Sequence, residues 1–252
     1  MKTTSDKWQV AGDVTMAATG RISRHPSRVT RPVFGFTLIE LLVVISIMGV
    51  LAALTITALS AVKKAQYKKV ARGELEQIET ALEGYKAQYG SYPPGNANSY
   101  LLSQLYYELS GTYINGGGNF ETLDGKCTIS PVNVMNAYGV GGFVNCTKGG
   151  GEDGIQAKNF LPDLRPNRYD LSVTNDSYGN KVPNTAVLTT SVGGPDQNYT
   201  PLGASGLNPI RYRYPGTHNP NSYDLWVQIV VSGKTNLICN WSREVQINSP
   251  LP

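Results

Sequence analysis

The chain of 252 residues is poor in the groups from which catalytic and metal sites are usually built. It has two histidines, His25 and His218, and three cysteines, Cys127, Cys146 and Cys239. A Ser-His-Asp or Cys-His site would have to use His218, which lies in a loop between two strand-like runs. An imidazole packed on a turn is the commoner use of such a residue. No Cys-x-x-Cys or Cys/His cluster occurs, which argues against zinc. The run "GVGGF" at 139–143 lacks the full Gly-x-Gly-x-x-Gly spacing and follows no clear strand, which argues against a nucleotide site. Glu152 and Asp153 are adjacent carboxylates, but glycines flank them and the segment reads as a solvated loop. The composition therefore predicts a protein that is not an enzyme.

Charge is also scarce, at 16% of residues, while tyrosine is plentiful at 15 against 5 phenylalanines. That balance, with 27 glycines and 15 prolines, suits a loop-rich β protein. The formal charge of +4 is not spread along the chain. Residues 1–35 hold Lys2, Lys7, Arg21, Arg24, Arg28 and Arg31 against Asp6 and Asp13, and everything beyond is neutral in sum. No basic patch outside this tail and one helix points to nucleic acid, and none is expected as a partner.

Two further absences are local. No proline occurs from Phe36 to Tyr92, and no charge from Leu41 to Val62. About 20 apolar residues suffice for a helix to cross a bilayer. A secretory signal core is shorter and is followed by a cleavage site, whereas the small residues here run on into helix. Beyond the span, Ala71, Leu75, Ile78, Leu82, Tyr85 and Tyr89 recur at steps of three and four. They predict one apolar stripe of an amphipathic helix, with Glu74, Glu76, Glu79 and Glu83 on its other faces. Gly90 and Pro93-Pro94 then end it. From Phe36 the whole helix measures about 80 Å at 1.5 Å per residue. Arginines before the span and Lys63, Lys64, Lys68, Lys69 and Arg72 after it nearly balance, so charge does not set the orientation.

Glu40 breaks the apolar run. A carboxylate in a bilayer is costly and is a functional hypothesis by default, the alternative being an acid that reaches out to the interface. If the chain were cut between Gly35 and Phe36, the new amine of a neighbouring helix would neutralise that acid and fix the stagger of the two helices.

The stretch "GFTLIELL", Gly35 to Leu42, resembles the class III signal of type IV pilins and type II secretion pseudopilins. The resemblance covers about 30 residues. It implies that a membrane prepilin peptidase cuts after Gly35 and methylates Phe36, and that Glu40 guides assembly. It also implies a cytoplasmic leader, which fixes the orientation. The leader of 35 residues is long for the family, with Met16 as an alternative start, and Thr57 stands where many members have a proline.

Residues 91–206 read as loop-rich, with a short helix over Leu101 to Leu109. Cys127 and Cys146 flank a glycine-rich stretch and are candidates for a disulfide; the alternative is three unpaired thiols. Four Asn-x-Ser/Thr sequons, at Asn145, Asn175, Asn198 and Asn240, read as coincidence in an Asn-rich chain. From Leu207 the runs "NPIRYRY" and "SYDLWVQIVV" alternate and predict half-buried strands, followed by "LICNW" after a "SGKTN" turn. "YRYPGTHNPNSYDLW", Tyr212 to Trp226, and Asp176 to Asn180 resemble the C-terminal region of the major pseudopilin. That family binds calcium in an acidic loop after this hairpin. Here the loop is Ser232 to Asn236 and has no acid, so that site is expected to be missing, with Asp224 or Asp196 available to another. No cofactor is expected.

The sequence thus predicts an α+β, pilin-like chain: leader 1–35, membrane and assembly half of the helix 36–62, amphipathic half 63–90, variable region 91–206 and antiparallel meander 207–252. The resemblance implies a pseudopilus subunit of the bacterial inner membrane with its head in the periplasm. Implied partners are itself, other pseudopilins, prepilin peptidase, the assembly platform and membrane lipid. Alternatives are a type IV pilin for adhesion, motility or DNA uptake, or an anchored surface binding protein that never polymerises.

Overall fold

The computed structural model describes residues 35–97, 99–148, 156–175, 181–194 and 206–248. The fold is α+β and pilin-like: a long N-terminal helix, then short helices and small, mostly antiparallel sheets. The chain divides into two compact units, residues 1–51 and 52–252.

Helix α1 runs from Leu38 to Tyr89. In the first unit its large apolar side chains are all exposed, from Leu38 at 81% to Leu51 at 57%. The window Leu38–Thr55 has a mean hydropathy of 2.5 and none of it is buried. By length and composition it can cross a membrane.

In the second unit α1 becomes one-sided. Ala71, Leu75, Ile78, Leu82 and Tyr85 are fully buried, as their spacing predicts, and Tyr89 packs against the same core from a partly buried position. Gly90 ends the helix with φ +78° and donates its N–H to Lys86 O at 2.8 Å. Glu74 lies outside the apolar stripe, yet it is only 8% exposed, because its carboxylate has partners inside the head.

The head continues with α2 (Leu105–Ser110), which is shorter than predicted. Residues 101–104 stay out of it because side chains hold their backbone elsewhere: Ser99 Oγ accepts Leu102 N, and Asn96 Nδ2 donates to Leu102 O. The supposed loop region holds more structure than predicted. Strands β1 (Thr112–Ile114), β2 (Phe120–Thr122), β3 (Thr128–Ile129) and β4 (Cys146–Thr147) form a sheet of order β3-β2-β1-β4. Helix α3 (Pro131–Tyr138) starts at Ser130, whose Oγ accepts Asn133 N, and stops at Gly139 in the left-handed region. Strands β5 (Tyr169–Asn175) and β6 (Lys181–Leu188) make a two-stranded ribbon.

This sheet rules out the proposed disulfide. All three cysteines are free and buried. Cys127, Thr122, Thr112 and Cys146 stand in one row across the strands. Three strand spacings of about 4.8 Å separate the two cysteines by roughly 14 Å, twice the reach of a disulfide.

The C-terminal meander is present as strands β7 (Arg211–Arg213), β8 (Asp224–Val231), β9 (Lys234–Cys239) and β10 (Gln246–Ile247) in the order β10-β9-β8-β7. Leu225, Val227, Ile229 and Val231 join the α1 stripe in one core cluster. The opposite face is not solvated as alternation predicts. Trp226 is 1% exposed and packs with Leu237, Cys239, Tyr100 and Trp241. The segment around Tyr100 covers this face of β8, with ring centroids 5.4 Å apart between Tyr100 and Trp226.

Candidate processing and assembly segment

Residues 35–40 lead into α1, which begins at Leu38, and form the centre of the candidate site. Phe36 is 72% exposed. A Cβ added at Gly35 would meet nothing within 4 Å. The chain's own packing therefore does not demand glycine at 35, and any need for a small residue there comes from outside the fold.

Thr37 is the N-cap, accepting Leu41 N on its carbonyl at 3.2 Å. Its N–H and Oγ1 donate to Glu40 Oε2 at 2.9 and 2.6 Å. Glu40 N returns a bond to Thr37 Oγ1 at 3.3 Å. This is a reciprocal capping box, which satisfies two backbone N–H groups that a helix end otherwise leaves open. Both contacts fall on Oε2, so Oε1 stays outside the cap. The box is written in the sequence as Thr-x-x-Glu ahead of an apolar run, a signal distinct from that of an acid in a membrane span. Glu40 is thus tied to its own helix end and remains the only carboxylate of the apolar segment.

In the head, three acids sit in specific surroundings. Glu74 accepts from Thr190 Oγ1 and from Ser191 N and Oγ, and lies 3.4 Å from Arg168 Nε. Arg168 also donates to Gln77 Oε1, Glu74 O and Thr189 O. Burial pulls its guanidinium below the ordinary value. The cluster fastens α1 to the segments around residues 168 and 190.

Glu108 is fully buried and accepts Tyr85 Oη, Val144 N and Asn145 N, each at 2.9 Å. Burial pushes its carboxyl up, more than those donors pull it down. Asn145, the first sequon, is also fully buried. Its amide donates to Glu108 O and Lys158 O and accepts from Tyr89 Oη and Lys158 N. Nothing in the sequence marked Glu108 or Asn145 as partners, because they are 37 positions apart.

His218, the one described histidine, packs on a turn. Its ring stacks on Trp241 with centroids 4.1 Å apart, and Nδ1 lies 3.1 Å from Asp224 Oδ2. Asp224 accepts the N–H groups of Thr217, His218 and Asn219. It is occupied in holding this loop, where Gly216 approaches so closely that a Cβ would lie 2.6 Å from Asp224 Oδ1. In the Ser232–Asn236 segment only Ser232 and Gly233, both at positive φ, form the tight turn, and Lys234 to Asn236 already belong to β9. Among the described residues no group of three or more His, Cys, Asp or Glu could hold a metal. The leader before Gly35, His25, Glu152, Asp153, Asp176–Asn180, Asp196 and Asn198 lie outside the described residues.

An apolar helix opening on a capped glutamate, followed by an α+β head, is consistent with the pilin-like fold the sequence predicts. Residues 31–56 match the prokaryotic N-terminal methylation motif. The chain is also similar over its N-terminal part to proteins of type II secretion. It is 41% identical over 59 residues to the type II secretion system core protein G of Pseudomonas aeruginosa, covering 23% of this chain and 42% of that protein. It is 42% identical over 62 residues to the core protein G of Escherichia coli K12, covering 25% and 43%. The same protein of Pectobacterium carotovorum is 41% identical over 59 residues, or 23% and 38%. The matched segment spans less than half the length of these relatives. No solved structure matches the chain significantly.

Proposed function

We propose that this chain is a structural, non-catalytic subunit of a type II secretion pseudopilus. Prepilin peptidase cuts it between Gly35 and Phe36 and methylates Phe36. The apolar half of α1 holds it in the inner membrane as a single span, with leader inside and head in the periplasm. It then polymerises with itself and with other pseudopilins on the assembly platform. The observation that carries this reading is Glu40, the lone acid of an otherwise apolar segment that is exposed all round. The relatives, named as core protein G, support secretion rather than a type IV pilus, with the similarity confined to about a quarter of the chain. In this reading Oε2 caps Thr37 while Oε1 takes the amine of Phe36 on the adjacent subunit.

The capping box makes the test sharper. Glutamine serves at this position of the box almost as well as glutamate, whereas alanine does not. Glu40→Gln therefore removes the charge and keeps the cap, and Glu40→Ala removes both. Both variants should be inserted and cleaved, yet be lost from sheared-filament fractions. If Glu40→Gln assembles normally and only Glu40→Ala fails, the acid is a helix cap and the charge-pair reading is wrong.

A further inference from the structure

Between Glu40 and Glu74 the chain has no acid, but it has Lys63, Lys64, Lys68, Lys69 and Arg72. Arg72 is occupied: its guanidinium donates to the carbonyls of Cys239, Ser242 and Arg243. The four lysines are different. Lys63, Lys64 and Lys69 are exposed, Lys68 is half-buried, and none forms an ion pair among the described residues. They lie on α1 before its burial in the head begins at Ala71.

Their placement selects a kind of partner. At about 100° per residue the four ammonium groups are spread over roughly two thirds of the helix circumference. A protein neighbour would take one face of the helix. A layer that surrounds the helix meets a collar of this kind. The depth also fits. Counted from Leu38, about 20 residues cross the 30 Å hydrocarbon, so the helix leaves it near residue 58. Lys63 and Lys64 then stand about 7 to 9 Å further out, at the outer edge of the headgroups. Lys68 and Lys69 reach back along the helix. These lysines also oppose the leader's arginines as a topology signal, so orientation does not explain them.

We propose that Lys63, Lys64, Lys68 and Lys69 form a cationic collar that binds the phosphates of anionic phospholipids around the unassembled subunit. The proposal rests on the membrane insertion proposed above. It adds a lipid preference that the apolar span alone does not confer.

The test uses the full chain reconstituted in phosphatidylcholine vesicles carrying trace spin-labelled phosphatidylglycerol or phosphatidylcholine. A lysine beside a charged surface changes partition roughly fivefold, from about 1 kcal/mol. Phosphatidylglycerol should be selected about 3- to 5-fold at low salt, and the preference should vanish in 1 M salt. It should also vanish in the Lys63→Gln, Lys64→Gln, Lys68→Gln, Lys69→Gln variant, whose glutamines keep the helix. Equal selectivity in wild type and variant would overturn the proposal. So would retained selectivity with lost cross-linking between copies, which would assign the lysines to a second subunit. Release of the chain by alkaline carbonate would instead refute insertion itself, and the collar with it.

Discussion

Removing Glu74 tests whether the head is locked to its helix by charge. In Glu74→Met the guanidinium of Arg168 keeps Gln77 Oε1, Glu74 O and Thr189 O, but loses its counter-charge. Thr190 Oγ1 and Ser191 N and Oγ lose an acceptor. Breaking a buried pair from one side costs about 3–5 kcal/mol. Two features lower this. Arg168 retains neutral acceptors, and a groove of about 450 Å³ lined by Lys69, Gln77, Arg165 and Ser191 admits water beside the pair. The expected loss is therefore about 3 kcal/mol. For a head of this size that is roughly 6–12 °C in melting temperature. The assay is thermal and urea unfolding of a fragment of residues 63–252, followed by the fluorescence of Trp226 and Trp241. This fragment is expected to fold alone because the α1 stripe is buried in the head. The double variant Glu74→Met, Arg168→Met removes both charges. It should lose less than the sum of the singles, by about 1–3 kcal/mol. Strictly additive losses would show that the two side chains do not act on each other.

Cleavage between Gly35 and Phe36 should appear in the intact mass of membrane-extracted protein, and a chain that still carries Arg31 would contradict it. Gly35→Ala should be processed best among substitutions and a bulky residue should leave the precursor uncut, although neither disturbs the fold, since the space at Gly35 is open. Glu108 should make stability depend on pH. Its carboxyl is raised in the fold, chiefly by burial, so the folded state holds the proton more tightly than the unfolded chain. The contribution is fully present below the unfolded value of about 4.5 and is lost as pH rises through the folded value. Wild type should therefore gain on Glu108→Gln as pH falls from 8 to 5. A difference that stays constant with pH would mean that burial does not shift this group.

What the sequence determined by itself was whatever depends on neighbours along one helix. The apolar span, the stripe from Ala71 to Tyr85, the stop at Gly90 and the isolation of Glu40 are periodicities or single breaks in them, and local spacing fixes these. The capping box at Thr37 was equally local and equally legible. The alternation of β8 correctly gave Leu225, Val227 and Ile229 as the core face. It could not show that the segment around Tyr100 would close over Trp226 on the other side, because burial of a second face depends on what the rest of the chain brings to it.

Tertiary structure alone decided the roles of the buried acids. Glu74 reads as one more solvated helix residue until Arg168, Thr190 and Ser191 arrive from some ninety to a hundred and twenty positions away. Glu108 and Asn145 are likewise ordinary until they meet. The cysteines make the same point in reverse. Cys127 and Cys146 are close enough in sequence to suggest a bridge, yet two strands lie between them, and only the strand order shows it. A pattern with a short period is written into the chain, whereas a polar group's partner is chosen by the fold, since a buried charge is tolerated wherever distant donors converge on it.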